Sequence, residues 1–372
     1  MANFNMVNNL QPLIQKYAHQ RLDRWNILGI LYIVFTYLSG ILLFFSSDLL
    51  VNFFGVILLT HSLILSAYMT HEFIHNTVFK NKTANQIFSN LMLWINGSCY
   101  FGFSELQKLH IAHHRDKVDI SPFNSAEFLD RTPFKPVILA LEWFHFPSIA
   151  LWLRGRQIFL PFFREDLQQA RVSVFTFLAI RVTLFSILAY FSIKALFLYF
   201  ISFIGMVIVL QFMDAFQHTY EVISTEQSPE TIATIVRSRD SIYEQENTFS
   251  TLLSRRFWLL NLLLLNFGYH NAHHAIMNCP WYNLRRLDEE LYPRESAYHF
   301  TFFPLLKNYH RFRIRRLFEG QGKAIESDRQ TLEQFYGAIG VSFLVPVGKL
   351  ANWQEVGEGR RQEAGGRFLE RG

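Results

Sequence analysis

The chain has 372 residues, of which half are hydrophobic and 16% aromatic, and its mean hydropathy of +0.12 is high for a soluble protein. Its only cysteines, Cys99 and Cys279, exclude a disulfide framework and a thiolate metal site. The net charge of +5 comes without a DNA-binding motif, so it indicates an anionic membrane surface and no nucleic acid.

Four apolar stretches are long enough to cross a hydrocarbon core, which needs about 20 residues. Short connections around Ser47–Asp48 and Lys194 would join them into two helical hairpins. The first stretch starts too late and is too long for a secretory signal. We predict transmembrane helices at 26–46, 50–70, 172–193 and 195–216.

The basic residues predict the orientation of these hairpins. Lys16, Arg21 and Arg24 precede the first span, and the 80–171 and 217–372 segments are rich in Lys and Arg. By the positive-inside rule the termini and both large segments face the cytoplasm. We expect a cytoplasmic segment at 1–25, a membrane domain at 26–320 and a cytoplasmic extension at 321–372, disordered from about 347.

Three further apolar stretches are too short or too polar to span. We interpret 86–103 as re-entrant or interfacial, and 136–153 and 257–268 as helices in the headgroup plane. Arg181 lies inside the third predicted span, and we expect it to snorkel to the cytoplasmic surface rather than face the bundle interior.

The grouping of nine of the fourteen histidines is the strongest indication of function in the sequence. They form HEFIH, HIAHH and HNAHH, with His218 alone after the fourth span. Histidines three or four residues apart on a helix share one face, so each motif presents its imidazoles together. The predicted topology puts every motif on the cytoplasmic side of the membrane. The nine are His71, His75, His110, His113, His114, His218, His270, His273 and His274.

Nine imidazoles are too many for one metal ion, because a zinc site takes about four ligands. An all-imidazole set shared between two adjacent ions suits a metal such as iron and leaves positions open for oxygen. We therefore predict an all-α integral membrane protein: four transmembrane helices in two hairpins, with a cytoplasmic helical cap that carries a di-metal site.

On these motifs, over roughly 50–310, the chain resembles the membrane fatty acid desaturase family, which also contains carotenoid hydroxylases and ketolases. The residues after the last motif strengthen the resemblance, because Pro280 is followed by Tyr282, Asn283 and Leu284 as in the family. His270 opens the third motif where desaturases that act near the carboxyl end often have Gln, which disfavours that subclass.

The resemblance implies a non-haem di-iron centre that uses O₂ to remove hydrogen from an unactivated C–H bond of a lipid acyl chain. It implies that the nine histidines are catalytic and bind the metal. Asp214 takes the place of an Asn that, in stearoyl-CoA desaturases, reaches one iron through water. We expect Asp214, four residues before His218 on one helical face, to bind metal, to orient a histidine or to be a surface carboxylate.

Several residues near the motifs have both a functional and an ordinary structural interpretation. Glu72, Asn76, Asp116 and Asp119 adjoin the histidines and could orient imidazole N–H groups or serve as solvated or capping residues. His61 lies too deep in the second span to join the site and is expected to be packed or hydrogen-bonded. Some aromatic residues near the motifs could line a substrate tunnel, although packing or interfacial roles are favoured for each: Phe101, Phe103, Trp143, Phe216 and Trp281.

Oxygen activation consumes electrons, yet the chain has no HPGG haem motif, no iron–sulfur cysteine set and no dinucleotide fingerprint. We expect a separate donor, a ferredoxin or cytochrome b5, to dock on the cytoplasmic face. A basic cluster could steer it, or could be an ordinary solvated face: Arg285, Arg286, Arg311, Arg313, Arg315 and Arg316.

Several functions remain open at this stage. Besides acyl desaturation, the same centre could support hydroxylation, ketolation or oxidative decarboxylation to a terminal alkene. A membrane zinc hydrolase would leave most of the histidines unused, and a bis-histidine haem carrier would need facing histidines at membrane depth, where only His61 clearly lies.

Overall fold

The computed structural model describes residues 10–18, 23–100, 102–121, 124–224, 239–292, 296, 298–322 and 334–339. Helices dominate these ranges. In chain order they are α1 (Leu10–Tyr17), α2 (Asp23–Leu43), α3 (Leu49–Ile74), α4 (Lys82–Asn96), α5 (Phe103–Asp116), α6 (Ser125–Arg131), α7 (Lys135–Trp143), α8 (Ser148–Phe163), α9 (Arg171–Phe191), α10 (Ile193–Asp214), α11 (Ser241–Glu246), α12 (His270–Ala275), α13 (Leu284–Leu291), α14 (Phe302–Arg311) and α15 (Arg316–Glu319), with 3-10 helices at Glu165–Ala170 and Trp258–Leu264.

Four helices are long and apolar enough to cross a membrane, and they lie at the positions of the four predicted spans. They cover Arg24–Leu43, Leu49–Ile74, Leu167–Phe191 and Ile193–Asp214. Helix α3 continues past the predicted end of the second span to Ile74, so His71 lies in its last turn.

Small residues set the distance between the helices of the first pair. At Gly40 of α2, an added Cβ would lie 2.9 Å from the Leu59 Cβ and 3.1 Å from the Gly55 carbonyl oxygen. At Gly55 of α3, it would lie 3.0 Å from the Gly40 oxygen. The two backbones approach closely only because neither position carries a side chain.

The connections between the paired helices are short. Asp48 caps α3 by accepting hydrogen bonds from the backbone of Leu50 at 2.7 Å and Val51 at 3.1 Å. Between α9 and α10 the turn falls at Ser192, whose hydroxyl accepts from the Ala195 amide at 3.1 Å. Lys194, expected at the turn, lies inside α10, where its ammonium donates to the Ser46 carbonyl.

Arg181 faces the interior of the helix bundle, so the expectation that it snorkels was wrong. Only 8% of its surface is exposed. Its guanidinium donates to the Trp94 carbonyl and lies 5.4 Å from the centre of the Trp94 ring. A carbonyl and an aromatic face inside the bundle thus replace the water that a snorkelling side chain would seek.

The non-spanning apolar stretches form short helices. Helix α4 covers much of 86–103 and packs on α3. The 136–153 stretch divides between α7 and α8, which meet at an angle of 120° and could by length and composition form one broken crossing. The 3-10 helix in 257–268 exposes Leu259 and Leu263. An exposed apolar face of this kind fits a lipid environment.

Four three-residue strands depart from the all-α prediction. Strand β1 (Asp119–Ser121) pairs in parallel with β2 (Val222–Ser224), and β3 (Ser250–Leu252) pairs in parallel with β4 (His299–Thr301). They join distant segments around the histidines. Residues 334–339 return to the core, where Phe335 is fully buried. The tail predicted to be disordered lies outside the described residues.

Candidate metal centre

Each histidine motif lies at the end of a helix or on one. His71 is in the last turn of α3 and His75 caps it, HIAHH occupies the second half of α5, and HNAHH forms most of α12. His218 follows α10 in an isolated bridge with Thr248. The structure brings all nine predicted histidines together, as two adjoining groups.

The first group contains five buried histidines whose ligand nitrogens all lie within 4.8 Å of one another: His71, His75, His110, His114 and His273. Their Nε2 atoms converge. The Nε2 of His110 lies 3.0 Å from that of His75 and 3.0 Å from that of His114, which in turn lies 3.1 Å from that of His273.

The second group contains His113, His218 and His274, again within 4.8 Å. His270 adjoins it, because its Nε2 lies 2.7 Å from the Nε2 of His218. The two groups meet where the rings of His114 and His274 lie 4.2 Å apart between centroids. The nine imidazoles therefore form one continuous site with two centres of convergence.

Hydrogen bonding alone cannot account for the first group. A ring nitrogen has either one proton or one lone pair, so it can serve one linear hydrogen bond. The Nε2 atoms of His110 and His114 each face two other Nε2 atoms. Neutral imidazole nitrogens that converge on one point without enough protons to pair them are the donor set that a bound metal ion uses. The donor set therefore fits a metal ion.

Burial keeps these imidazoles neutral, which is the form that binds metal. Burial and the neighbouring histidines lower the pKa values of His75, His114 and His274 well below the ordinary value. Burial, with a contribution from His113, lowers the pKa of His273 to about 3.

Carboxylates orient two imidazoles of the second group. The Nδ1 of His274 lies 3.1 Å from Oε1 of Glu244, and its Nε2 is buried without a hydrogen-bond partner. The Nδ1 of His113 lies 2.8 Å from the Val118 carbonyl and 3.3 Å from Asp119. Burial lowers the pKa of His113, but the Asp119 hydrogen bond and charge outweigh it and raise the pKa overall. In both rings a proton on Nδ1 leaves Nε2 for metal.

Sequence reasoning missed Glu244. It lies on α11, 30 residues before His274, and no local pattern links the two. Burial raises its pKa, and Lys117, 3.9 Å away, opposes that shift.

Glu72, Asn76, Asp116 and Asp119 were expected to orient histidines or to serve as capping or solvated residues. Among them, Asp119 contacts a histidine ring of the site directly, that of His113. Glu72 instead accepts hydrogen bonds from the Thr77 hydroxyl at 2.6 Å and the Trp281 amide at 3.1 Å, and lies 3.8 Å from the Nδ1 of His71. Asn76 is an exposed turn residue with φ of 55°, and Asp116 pairs with Arg115.

Asp214 does not share a helical face with His218, so that part of the prediction was wrong. Helix α10 ends at Asp214, and the chain beyond it pairs with another segment through Thr219 to the Asn247 carbonyl at 3.0 Å. The carboxylate belongs to neither histidine group. Both its oxygens are buried and have no hydrogen-bond partner in the described part of the chain, and their burial excludes the surface-carboxylate interpretation.

The aromatic residues near the motifs mainly pack. Trp281 fixes the region after the third motif to the first span, because its indole N–H donates to Asn26 at 3.0 Å. Phe103 and Phe216 are buried. Trp143 is 52% exposed, which fits an interfacial role, and Phe101 lies outside the described residues. His61 is hydrogen-bonded, as expected, to the Tyr32 hydroxyl at 2.9 Å and the Leu263 carbonyl at 3.0 Å.

The basic cluster expected to steer an electron donor is smaller than the sequence suggested. Arg313 and Arg316 are buried, and Arg313 pairs with Glu142 at 2.9 Å. Because both side chains are buried, their charges interact with groups inside the protein and cannot form part of a docking surface. Arg315 pairs with Glu319 at 2.7 Å on the surface, which offsets its charge.

The fold and the site define a class of protein with helices long enough to span a membrane and nine clustered histidines that could hold metal. The chain belongs to the fatty acid desaturase family, because the sequence model of that family, described as "Fatty acid desaturase", matches residues 48–306. No curated protein and no solved structure matches the chain. Family membership makes the protein a membrane oxidoreductase that acts on fatty acids.

Proposed function

We propose that the protein is an O₂-dependent di-iron fatty acyl desaturase. The observation that carries the proposal is the continuous site of nine histidines, which divides into two centres of convergence and uses no thiolate. Two iron ions held there would activate O₂ and supply the oxidant for an alkyl C–H bond, which side-chain acids and bases cannot break.

The residues of the chain would prepare the site for that chemistry. Burial keeps the imidazoles of the first group neutral, and Glu244 and Asp119 hold the protonated Nδ1 of His274 and His113 away from the metal side. The ring of Phe267 packs against the first group, 4.9 Å from the ring of His71. Exclusion of water by such residues protects an oxidant and strengthens the electrostatic interactions inside the site.

The topology follows from the same proposal. The four long helices form two transmembrane hairpins, and the segments between and after them form a cytoplasmic cap that carries the histidines. The ends of α3 and α10, where the first motif and Asp214 lie, would then emerge on the same membrane face as the cap. A ferredoxin or cytochrome b5 would deliver electrons to that face.

Expression in a host with a defined lipid profile, followed by mass spectrometry of its lipids, tests the proposal. We expect acyl chains with one additional double bond in cells that produce the protein and not in cells that produce His273→Ala. If the product instead gains oxygen or loses its carboxyl carbon, the reaction at this centre is hydroxylation, ketolation or decarboxylation and not desaturation. An unchanged lipid profile with correctly inserted, metal-loaded protein would contradict the proposal.

A further inference from the structure

A cavity of about 230 Å³ lies among α4, α8, α9 and α10, and no histidine lines it. Its polar lining includes two arginines and one glutamine, Arg154, Arg181 and Gln157, and none of the described lining residues is Asp or Glu. The remaining walls are mainly apolar, with aromatic rings such as those of Phe185 and Phe200. Positive charge and apolar surface therefore meet in one partly open cavity.

Two polar side chains of this cavity are buried and keep atoms that have no hydrogen-bond partner. Gln157 is 1% exposed, and neither its amide nitrogen nor its amide oxygen has a hydrogen-bond partner among the described residues. Arg181 is 8% exposed, and its Nε is likewise without one. Burial of an amide or guanidinium atom without a hydrogen-bond partner costs free energy, unless another molecule supplies that partner.

The contacts that the structure shows for the two arginines are with neutral groups. Arg154 donates from Nη1 to the Ser98 hydroxyl at 3.3 Å and lies 5.8 Å from the centre of the Phe203 ring. Arg181 contacts Trp94 as described above. Across the described part of the chain, neither guanidinium forms an ion pair with a carboxylate. Two like charges next to the apolar part of a membrane are costly without an anion.

We propose that this cavity binds the anionic head of a lipid, a carboxylate or a phosphate, between Arg154 and Arg181. Each guanidinium can offer paired N–H donors to such an anion, and the Gln157 amide can donate as well. The volume is below the roughly 300–1,000 Å³ of sites that enclose a whole small ligand. It therefore holds a head and the first carbons of the chain, whose remainder runs along the apolar helix surfaces, where Phe200 is 43% exposed. This binding site does not depend on the proposed reaction.

Equilibrium binding of radiolabelled palmitate to the full-length protein in a non-ionic detergent tests the inference. On the unmodified protein we expect palmitate to bind roughly tenfold or more tightly than hexadecanol, which has the same chain without the charge. Competition by unlabelled palmitate and by phosphatidylglycerol identifies whether a carboxylate, a phosphate or either one is accepted. Equal affinity for palmitate and hexadecanol, with no competition by phosphatidylglycerol, would overturn the inference.

Substitution of the two arginines tests whether the anion binds in this cavity. Arg154→Gln combined with Arg181→Gln should lose this charge-dependent binding, whereas Arg156→Gln should keep it, because Arg156 lies on the same helix but outside the cavity. Metal content should stay at the wild-type level in both variants, since no histidine is changed. Charge-dependent binding that survives in the metal-loaded double variant would place the anion elsewhere and overturn the inference, whatever the enzyme produces.

Discussion

Removal of the Glu244 carboxylate should weaken metal binding at the second histidine group. Glu244 lies 3.1 Å from the Nδ1 of His274, and that ring has no other hydrogen-bond partner among the described residues. Without the carboxylate the ring is free to rotate, and its other nitrogen becomes a poorer donor to metal. Loss of such a supporting group costs roughly 10–100-fold in metal affinity, which corresponds to about 1.4–2.7 kcal/mol.

The assay is iron release to a chelator, followed by absorbance, from purified Glu244→Ala, Glu244→Gln and Glu246→Gln. Glu246 lies two residues away on the same helix, is exposed and serves as the matched control. We expect faster release of about half the iron from Glu244→Ala, a smaller effect from Glu244→Gln, which keeps an acceptor oxygen, and none from Glu246→Gln. Release from Glu244→Ala at the wild-type rate would refute the reasoning.

Three further predictions concern a ligand, a carboxylate and a helix crossing. His273→Ala should abolish product but not membrane insertion, whereas His61→Ala should be mild; near-normal product from His273→Ala, by lipid mass spectrometry, would contradict the assignment. Asp214 lies outside both histidine groups, but its buried carboxylate has no partner among the described residues and would be stabilised by a nearby cation. Asp214→Ala should therefore lose iron and activity while Asp214→Asn keeps measurable activity; equal wild-type iron content in both would show that Asp214 does not support metal binding. Gly40→Ala should lower stability by about 1–3 kcal/mol through overpacking, measured by thermal unfolding in detergent. Gly155→Ala is its control, because a Cβ there meets nothing within 4 Å, and equal stability of the two would contradict the packing argument.

The positions of the spans and of the histidine motifs could be predicted because both depend on local patterns. Hydrophobic length fixes a transmembrane helix, and the three- and four-residue spacings fix which imidazoles share a face. His110 and His114 thus converge on one α-helix as expected. The sequence also indicated, through the number of histidines, that one ion could not use them all.

What the sequence did not reveal depends on contacts between distant segments. Glu244 reaches His274 across 30 residues, and Arg181 finds the Trp94 carbonyl across 87 residues. Helix α10 likewise ends at Asp214 because the next residues pair with a remote segment. No helix-terminating residue in the local sequence indicates this end. Arg313 looked like a surface charge in a basic run, but its partner Glu142 lies 171 residues away.

The metal content of the purified protein tests the central claim most directly. The protein should be produced in iron-sufficient cells, purified in detergent without chelators, and measured by elemental analysis together with its absorbance spectrum. The account predicts two iron ions per chain, no haem absorbance, and loss of iron in His114→Ala, a residue at the junction of the two histidine groups. One zinc ion per chain, a haem spectrum, or full iron content in His114→Ala would contradict it.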